Sequence, residues 1–187
     1  MLHAVSSTTE EDILQAAADV LERGGPEALT TRAVCDAAGV KSPTLYHYFG
    51  DKNGLAAALV RRGLSEFMVR KRAAPDTDDP MQQLRAGWDL SVDFALKRPA
   101  LHALYMEQLR SQPELANEAY ALTRARVQRL VDRGVFKAGL EEASRAVWAG
   151  CNGVLALAGA GLARRDVEAT SRVLFEAVVA RLGMPVD

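Results

Sequence analysis

The sequence predicts an all-α protein, on three observations. Ala, Leu, Arg and Glu are abundant while aromatic residues make up only 6% of the 187 residues, a balance that favours helix. Apolar residues recur three and four apart, as in Ile13, Ala16, Ala17, Val20 and Leu21, which lines one face of a helix. No segment alternates apolar and polar residues as a half-buried strand does, and there is no internal repeat or low-complexity tract.

The elements follow in order. Ser7, Thr8 and Thr9 precede Glu10, Glu11 and Asp12, hydroxyl caps followed by acids at the positive end of a helix dipole. Gly24, Gly25 and Pro26 end that first helix. A short second helix is expected from Thr31 to about Gly39. A third follows Ser42, with Pro43 at its first position, where a missing N–H costs nothing. Gly50 and Asp51 break the chain, and Asp51 caps a fourth helix from Lys52 to about Arg72 that carries Leu55, Leu59, Leu64, Phe67 and Met68. The stretch Ala73–Pro80 reads as a loop. Beyond it helices are expected over Met81–Lys97, Ala100–Leu109, Pro113–Arg133, Glu141–Leu162 and Arg165–Leu182, about nine in all. The head is assigned residues 1–52 and the body residues 53–187.

Net charge is −1, so bulk charge does not mark a nucleic-acid binder. Its distribution is uneven. Acids prevail before Leu29, whereas Arg32, Lys41, Lys52, Arg61, Arg62, Arg70, Lys71 and Arg72 outweigh Asp36, Asp51 and Glu66 in the stretch that follows. A locally basic segment attracts phosphate even in a neutral chain. Cys35 and Cys151 are far apart and form no ligand pattern, which speaks against a disulfide framework or zinc site and for a reducing compartment. The first residues lack the basic and apolar regions of a signal peptide. The apolar stretch Ala146–Ala163 is short for a membrane span and is interrupted by Asn152 and glycines. A cytoplasmic protein is expected. No paired carboxylates, nucleophile triad, phosphate loop or metal cluster stands out, so neither an enzyme nor a bound cofactor is expected.

The stretch from Thr31 to Phe49 carries the strongest signal. Two short helices joined by a tight turn need a small residue where they approach, a glycine in the turn and apolar anchors on the second helix. Cys35 is the small residue and Gly39 the turn. Val34, Ala38 and Val40 face inward with Leu45 and Phe49, which share one face of the second helix. Lys41, Ser42, Thr44, Tyr46 and His47 remain on the open face, hydrogen-bonding groups on a helix of the size that enters a DNA major groove.

The stretch Ala28–Leu59 resembles the DNA-binding domain of the tetracycline-repressor (TetR) family. Leu45, Tyr46, Phe49, Lys52 and Leu55 match its LYxxFxxKxxL pattern, and Thr30–Arg32 and Pro43–Tyr46 are similar to its TTR and PTLY segments. The close resemblance covers about the first third of the chain. A Trp-x-x-x-x-Gly segment at Trp148–Gly153 extends it weakly. The resemblance implies that Thr31 offers its hydroxyl and backbone N–H to a phosphate. Arg32 would reach a guanine edge, with a surface ion pair as its alternative role. Ser42, Pro43 and Thr44 would lie nearest the bases, with a phosphate contact as the alternative for Thr44. Tyr46 would place its hydroxyl on the DNA backbone, with a half-buried core position as its alternative, and His47 would touch phosphate or base. Lys52 would clamp phosphate.

In the remainder, Gly150, Gly153, Ala156 and Gly159 punctuate the eighth helix, and Val167, Leu174, Ala177, Val178 and Leu182 line the ninth. Paired across a two-fold axis they would form a four-helix homodimer interface; packing within one chain is the alternative for any one of them. Family members enclose an effector pocket in this region. Trp88, Phe94, Tyr105, Met106, Tyr120 and Trp148 are candidates to line it, with Asn152 as its polar group. The expected function is a dimeric operator-DNA-binding repressor released by a small apolar or amphipathic effector. A regulator controlled by a protein partner, an activator, or an all-helical enzyme are the alternatives.

Overall fold

The computed structural model describes residues 3–73 and 77–185, with side chains from residue 10 onward. Among them lie nine α-helices and a short 3-10 turn, with no strand. The helices are α1 (His3–Ala28), α2 (Thr31–Ala38), α3 (Ser42–Phe49), α4 (Lys52–Arg72), α5 (Pro80–Lys97), α6 (Pro99–Gln108), α7 (Asn117–Asp132), α8 (Leu140–Gly159) and α9 (Arg164–Gly183). The all-α reading is borne out.

Three expected boundaries need correction. Helical backbone already runs from His3, so α1 starts ahead of the expected Ser7–Thr9 cap, whose side chains lie outside the described residues. His3, Ala4 and Val5 contain no breaker that would stop the helix running back. The segment expected to open the seventh helix at Pro113 is instead a 3-10 turn, Pro113–Ala116, and α7 starts at Asn117. α8 stops at Gly159 rather than Leu162, because Gly161 takes the left-handed conformation, φ 79°. Part of the expected loop Ala73–Pro80, residues 74–76, lies outside the described residues.

The chain folds as two compact units. One comprises the described residues up to Glu66 together with Ala100–Pro113; the other comprises Phe67–Pro99 and the described residues from Glu114 onward. In the first, α2 packs on α1 and α3, and Ile13, Ala17, Leu21, Leu29, Val34, Leu45 and Leu55 are buried. Gly25, with φ 71°, breaks the straight run of α1. Arg62 ties α4 back to α1 through Gln15 at 2.6 Å and Glu11 at 3.0 Å.

The second unit is a bundle of α5, α7, α8 and α9. Leu84, Trp88, Val127, Leu130, Val147, Val154, Val167, Phe175 and Leu182 belong to its core. Trp88 lies edge-on to Phe175, with ring centres 5.3 Å apart, and its indole N–H donates to Ser171 Oγ at 2.9 Å. The loop after α7 is fixed when the Lys137 N–H donates to the Leu182 carbonyl at 2.7 Å.

The junction between α3 and α4 is two residues long. Asp51 Oδ1 accepts the Gly54 N–H at 2.7 Å, so the expected cap is present. A Cβ on Gly54 would overlap the Phe49 carbonyl oxygen, an atom that cannot swing aside. Gly54→Ala is therefore expected to destabilise the protein by about 1–3 kcal/mol, as overpacking does. Urea denaturation of this variant against the wild type checks the loss.

Candidate functional site

α2 begins because Thr30, in extended conformation, accepts the Ala33 N–H on its side-chain oxygen at 3.1 Å. Thr30 is thus the cap, and Thr31 the first helical residue. α2 ends at Gly39, whose φ of 65° lets its N–H reach the Cys35 carbonyl. The chain then re-enters helix at Ser42 with Pro43 in the first turn. Cys35 is buried, and its thiol lies 4.0 Å from Ser42 Oγ across the turn. Leu45 is fully buried and anchors α3.

This packing leaves Lys41, Pro43, Tyr46 and His47 exposed, with Ser42 and Thr44 half-buried. Positions 43, 46 and 47 are three and four apart, so they share one face of α3. Tyr46 is 46% exposed; it is not a core tyrosine. Tyr48, half-buried, stacks edge-on with His47 at 5.2 Å. Thr31 is half-buried at the start of α2. Arg32 is 92% exposed and its partner among the described residues is Asp36, at 3.8 Å. Such a loose exposed pair contributes little and leaves the guanidinium able to turn to another acceptor. Lys52 is exposed at the first position of α4.

The residues considered for an effector pocket divide. Tyr105 and Met106 lie on α6, in the first unit. Tyr105 is buried, and burial pushes its hydroxyl up to about 12, while Met106 is exposed. Phe94 stacks on Phe67 with ring centres 4.8 Å apart. Tyr120 packs edge-on against Trp148 at 5.5 Å. The Asn152 amide donates to the Trp148 carbonyl one turn back at 2.8 Å, so its own helix supplies its partner.

Trp88 and Trp148 do come together, in a crevice of the second unit lined also by Lys71, Leu84, Gly87, Ser91, Thr123, Arg126, Val147 and Cys151. Its volume is about 20 Å³, room for a water molecule. Sequence reasoning missed its two cations. Lys71 is 4% exposed and Arg126 is 7% exposed. Lys71 Nζ donates to Ser91 Oγ at 2.8 Å and sits 5.2 Å from the centre of the Phe67 ring. Arg126 Nη2 donates to the Lys71 carbonyl at 2.6 Å, while its buried Nη1 has no hydrogen-bond partner among the described residues. Gly87 makes room for that nitrogen, since a Cβ there would overlap it. The signal was present in the spacing. Lys71 continues the Leu64–Phe67 stripe, and Arg126 falls on the stripe of Ala119, Thr123 and Leu130.

Burial lowers the Lys71 ammonium to about 8 and raises the Cys151 thiol to about 11. Burial also lowers the Arg126 guanidinium.

Residues 13–59 match the sequence profile of "Bacterial regulatory proteins, tetR family". The chain is 30% identical over 135 residues to the HTH-type transcriptional repressor KstR2 of Mycobacterium tuberculosis, covering 70% of this chain and 66% of that protein. It is 34% identical over 132 residues to the HTH-type transcriptional regulator BetI of Stenotrophomonas maltophilia, covering 67% and 65%. The matched part thus spans just under two thirds of these relatives' length. A TetR transcription regulator from Haloarcula marismortui has the same fold, with a TM-score of 0.80 at 20% identity over 95% of this chain and all of that one.

Two measurements test the local structure. Thr30→Ala should cost about 1 kcal/mol in urea denaturation, as the loss of a helix N-cap does. For Lys71, the folded value of about 8 lies below the unfolded 10.5. Between these the unfolded chain holds more protons, so this lysine makes stability rise with pH. The rise is clearest from about pH 8 to 9, before Cys151, raised from 9.0 to about 11, pulls the other way. Lys71→Met should flatten it; parallel pH dependences of wild type and variant would contradict the assignment.

Proposed function

Because the chain belongs to the tetR family of bacterial regulatory proteins, we propose that it is a dimeric, operator-binding transcriptional repressor released by a small apolar or amphipathic effector. The observation that carries this reading is the open face of α3. Leu45 is buried while Pro43, Tyr46 and His47 stand exposed on a helix introduced by Lys41 and held by the Gly39 turn. A helix of this size presented by a fixed turn suits the major groove.

In this reading Arg32, Ser42, Pro43 and Thr44 address base edges. Thr31, Lys41, Tyr46, His47 and Lys52 hold the phosphate backbone. The head spans residues 1–52 and the effector-binding and dimerisation region residues 53–187. The matched relatives, named as a repressor and a regulator, support regulation of transcription, and the cytoplasm, where bacterial DNA lies, is its place of action. No helix among the described residues is long and apolar enough to cross a membrane.

One head buries too little DNA surface for tight specific binding, so two are needed. Of the residues considered for the dimer contact, Val167 and Leu182 are core, and Leu174 and Val178 pack against that core. Gly150 is closed over by Trp88 and Val178. What stays exposed is a small-residue face of α8, Gly153, Ala156 and Gly159, and a face of α9 with Val173, 68% exposed, and Ala177. These faces are the proposed homodimer surface.

The test is selection of bound genomic DNA fragments followed by titration of variants on the recovered operator. Arg32→Ala should lose about 1–3 kcal/mol of discrimination at one base position. Lys52→Ala should weaken binding alike across sequences and lower the salt slope by about 1. Unchanged affinity and selectivity in both variants, or no DNA recovered, would refute the reading.

A further inference from the structure

We infer that the crevice between α4, α5, α7 and α8 receives the anionic head group of an amphipathic molecule, a carboxylate or a phosphate monoester, between Lys71 and Arg126. This rests on the effector-release reading above and names the chemical class of that effector.

Two cations stand at this crevice, each more than nine-tenths buried, and neither forms an ion pair with a described carboxylate. A buried charge calls for an opposite charge or a full set of hydrogen bonds. Among the described residues Lys71 has one acceptor, Ser91 Oγ, whose own proton goes to the Gly87 carbonyl at 3.0 Å. Capping the end of α4 accounts for Arg126 Nη2, which binds the Lys71 carbonyl. It does not account for Nη1, which is buried without a partner among the described residues. Nor does it account for Lys71. Cys151 cannot serve as the missing anion, because burial keeps its thiol protonated up to about pH 11.

The shape of the donor set fits a head group with more than one oxygen. An ammonium and a guanidinium nitrogen on adjacent helices can each take an oxygen of the same carboxylate or phosphate. The rest of the lining is apolar: Leu84, Trp88, Val147 and Trp148 offer a bed for a hydrocarbon or aromatic body. With only about 20 Å³ open, the body enters as the lining helices part. An effector that binds a parted arrangement better than a closed one shifts the protein towards it.

The experiment uses the full chain and its own tryptophans, since both tryptophans of the sequence line the crevice. Tryptophan fluorescence is titrated with octanoate, octyl phosphate, 1-octanol and inorganic phosphate. At least one of the two octyl anions should bind at least about tenfold tighter than octanol, the scale of one charge-assisted hydrogen bond. The tighter of the two identifies the head group. Lys71→Met and Arg126→Met should each lose that preference, with folding checked by circular dichroism. The inference is overturned if octanol binds as tightly as both anions, if neither anion binds, or if both variants keep the preference. Inorganic phosphate matching octyl phosphate would overturn the amphipathic assignment. Operator release is scored separately on DNA. An anion that binds the crevice without releasing DNA leaves this site standing and refutes effector release. DNA released only by octanol does the reverse.

Discussion

The approach of α4 to the end of α3 sets the geometry on which the rest of the first unit depends. At Gly50 the chain takes φ 75°, and the Gly50 N–H still reaches the Tyr46 carbonyl at 2.8 Å. Asp51 then turns its carboxylate onto the Gly54 N–H, and the absence of a side chain at Gly54 lets the new helix start against the Phe49 carbonyl. A loop of ordinary length would leave the exposed face of α3 free to rotate relative to α4. Here the direction of Tyr46 and His47 and the position of Lys52 are linked by a single turn of chain. Arg62 extends the constraint, holding α4 to α1 through Gln15 and Glu11. Pre-organisation of this kind lets a short helix offer side chains to a partner at little entropic cost.

The positions most legible in the sequence were those where backbone chemistry leaves few options. Gly39 must adopt a left-handed turn and Asp51 before a helix is a cap, and both took those roles, while Pro43 stands second in α3 rather than first, because Lys41 is the cap. Neighbouring residues of similar chemistry were not separable. Thr30 and Thr31 both carry a hydroxyl, and only the extended backbone of Thr30 makes it the cap. The stripe on α9 was equally ambiguous. An apolar repeat of this kind can face a partner helix of the same chain or of another, and Val167 and Leu182 went to the core while Ala177 stayed outside. Asn152 misled for a related reason: an amide in a helix can turn back to the carbonyl four residues earlier.

Lys71 and Arg126 were hidden by composition. Lys71 lies in an Arg-Lys-Arg run and Arg126 in a stretch rich in Arg, which reads as a solvated face when only the local window is considered. Their burial follows from which side of each helix meets α5 and α8, and that depends on residues far along the chain. Energetically the pair is costly. The effective penalty for burying one ion is several kcal/mol, and a hydrophobic replacement of similar volume is often neutral or stabilising. Part of the cost is met by the Phe67 ring, Ser91 and the negative end of the α4 dipole. A core that could have held Met or Leu at both positions instead keeps two charges, one with an unused donor. Stability does not explain that choice; a site for negative charge does.

Both proposed activities meet on one helix. Lys52 opens α4 in the first unit, and Lys71 stands in its last turn in the second. Its first turn starts against the Phe49 carbonyl at Gly54, and in its last turn the Lys71 carbonyl accepts from Arg126. An anion drawn between Lys71 and Arg126 competes with Ser91 for the ammonium, and it uses the guanidinium that also caps α4. Its binding free energy therefore differs between positions of the end of α4. That difference is the quantity a ligand needs in order to bias a conformational equilibrium. The lysine that would sense the effector and the lysine proposed to hold phosphate are both carried by α4.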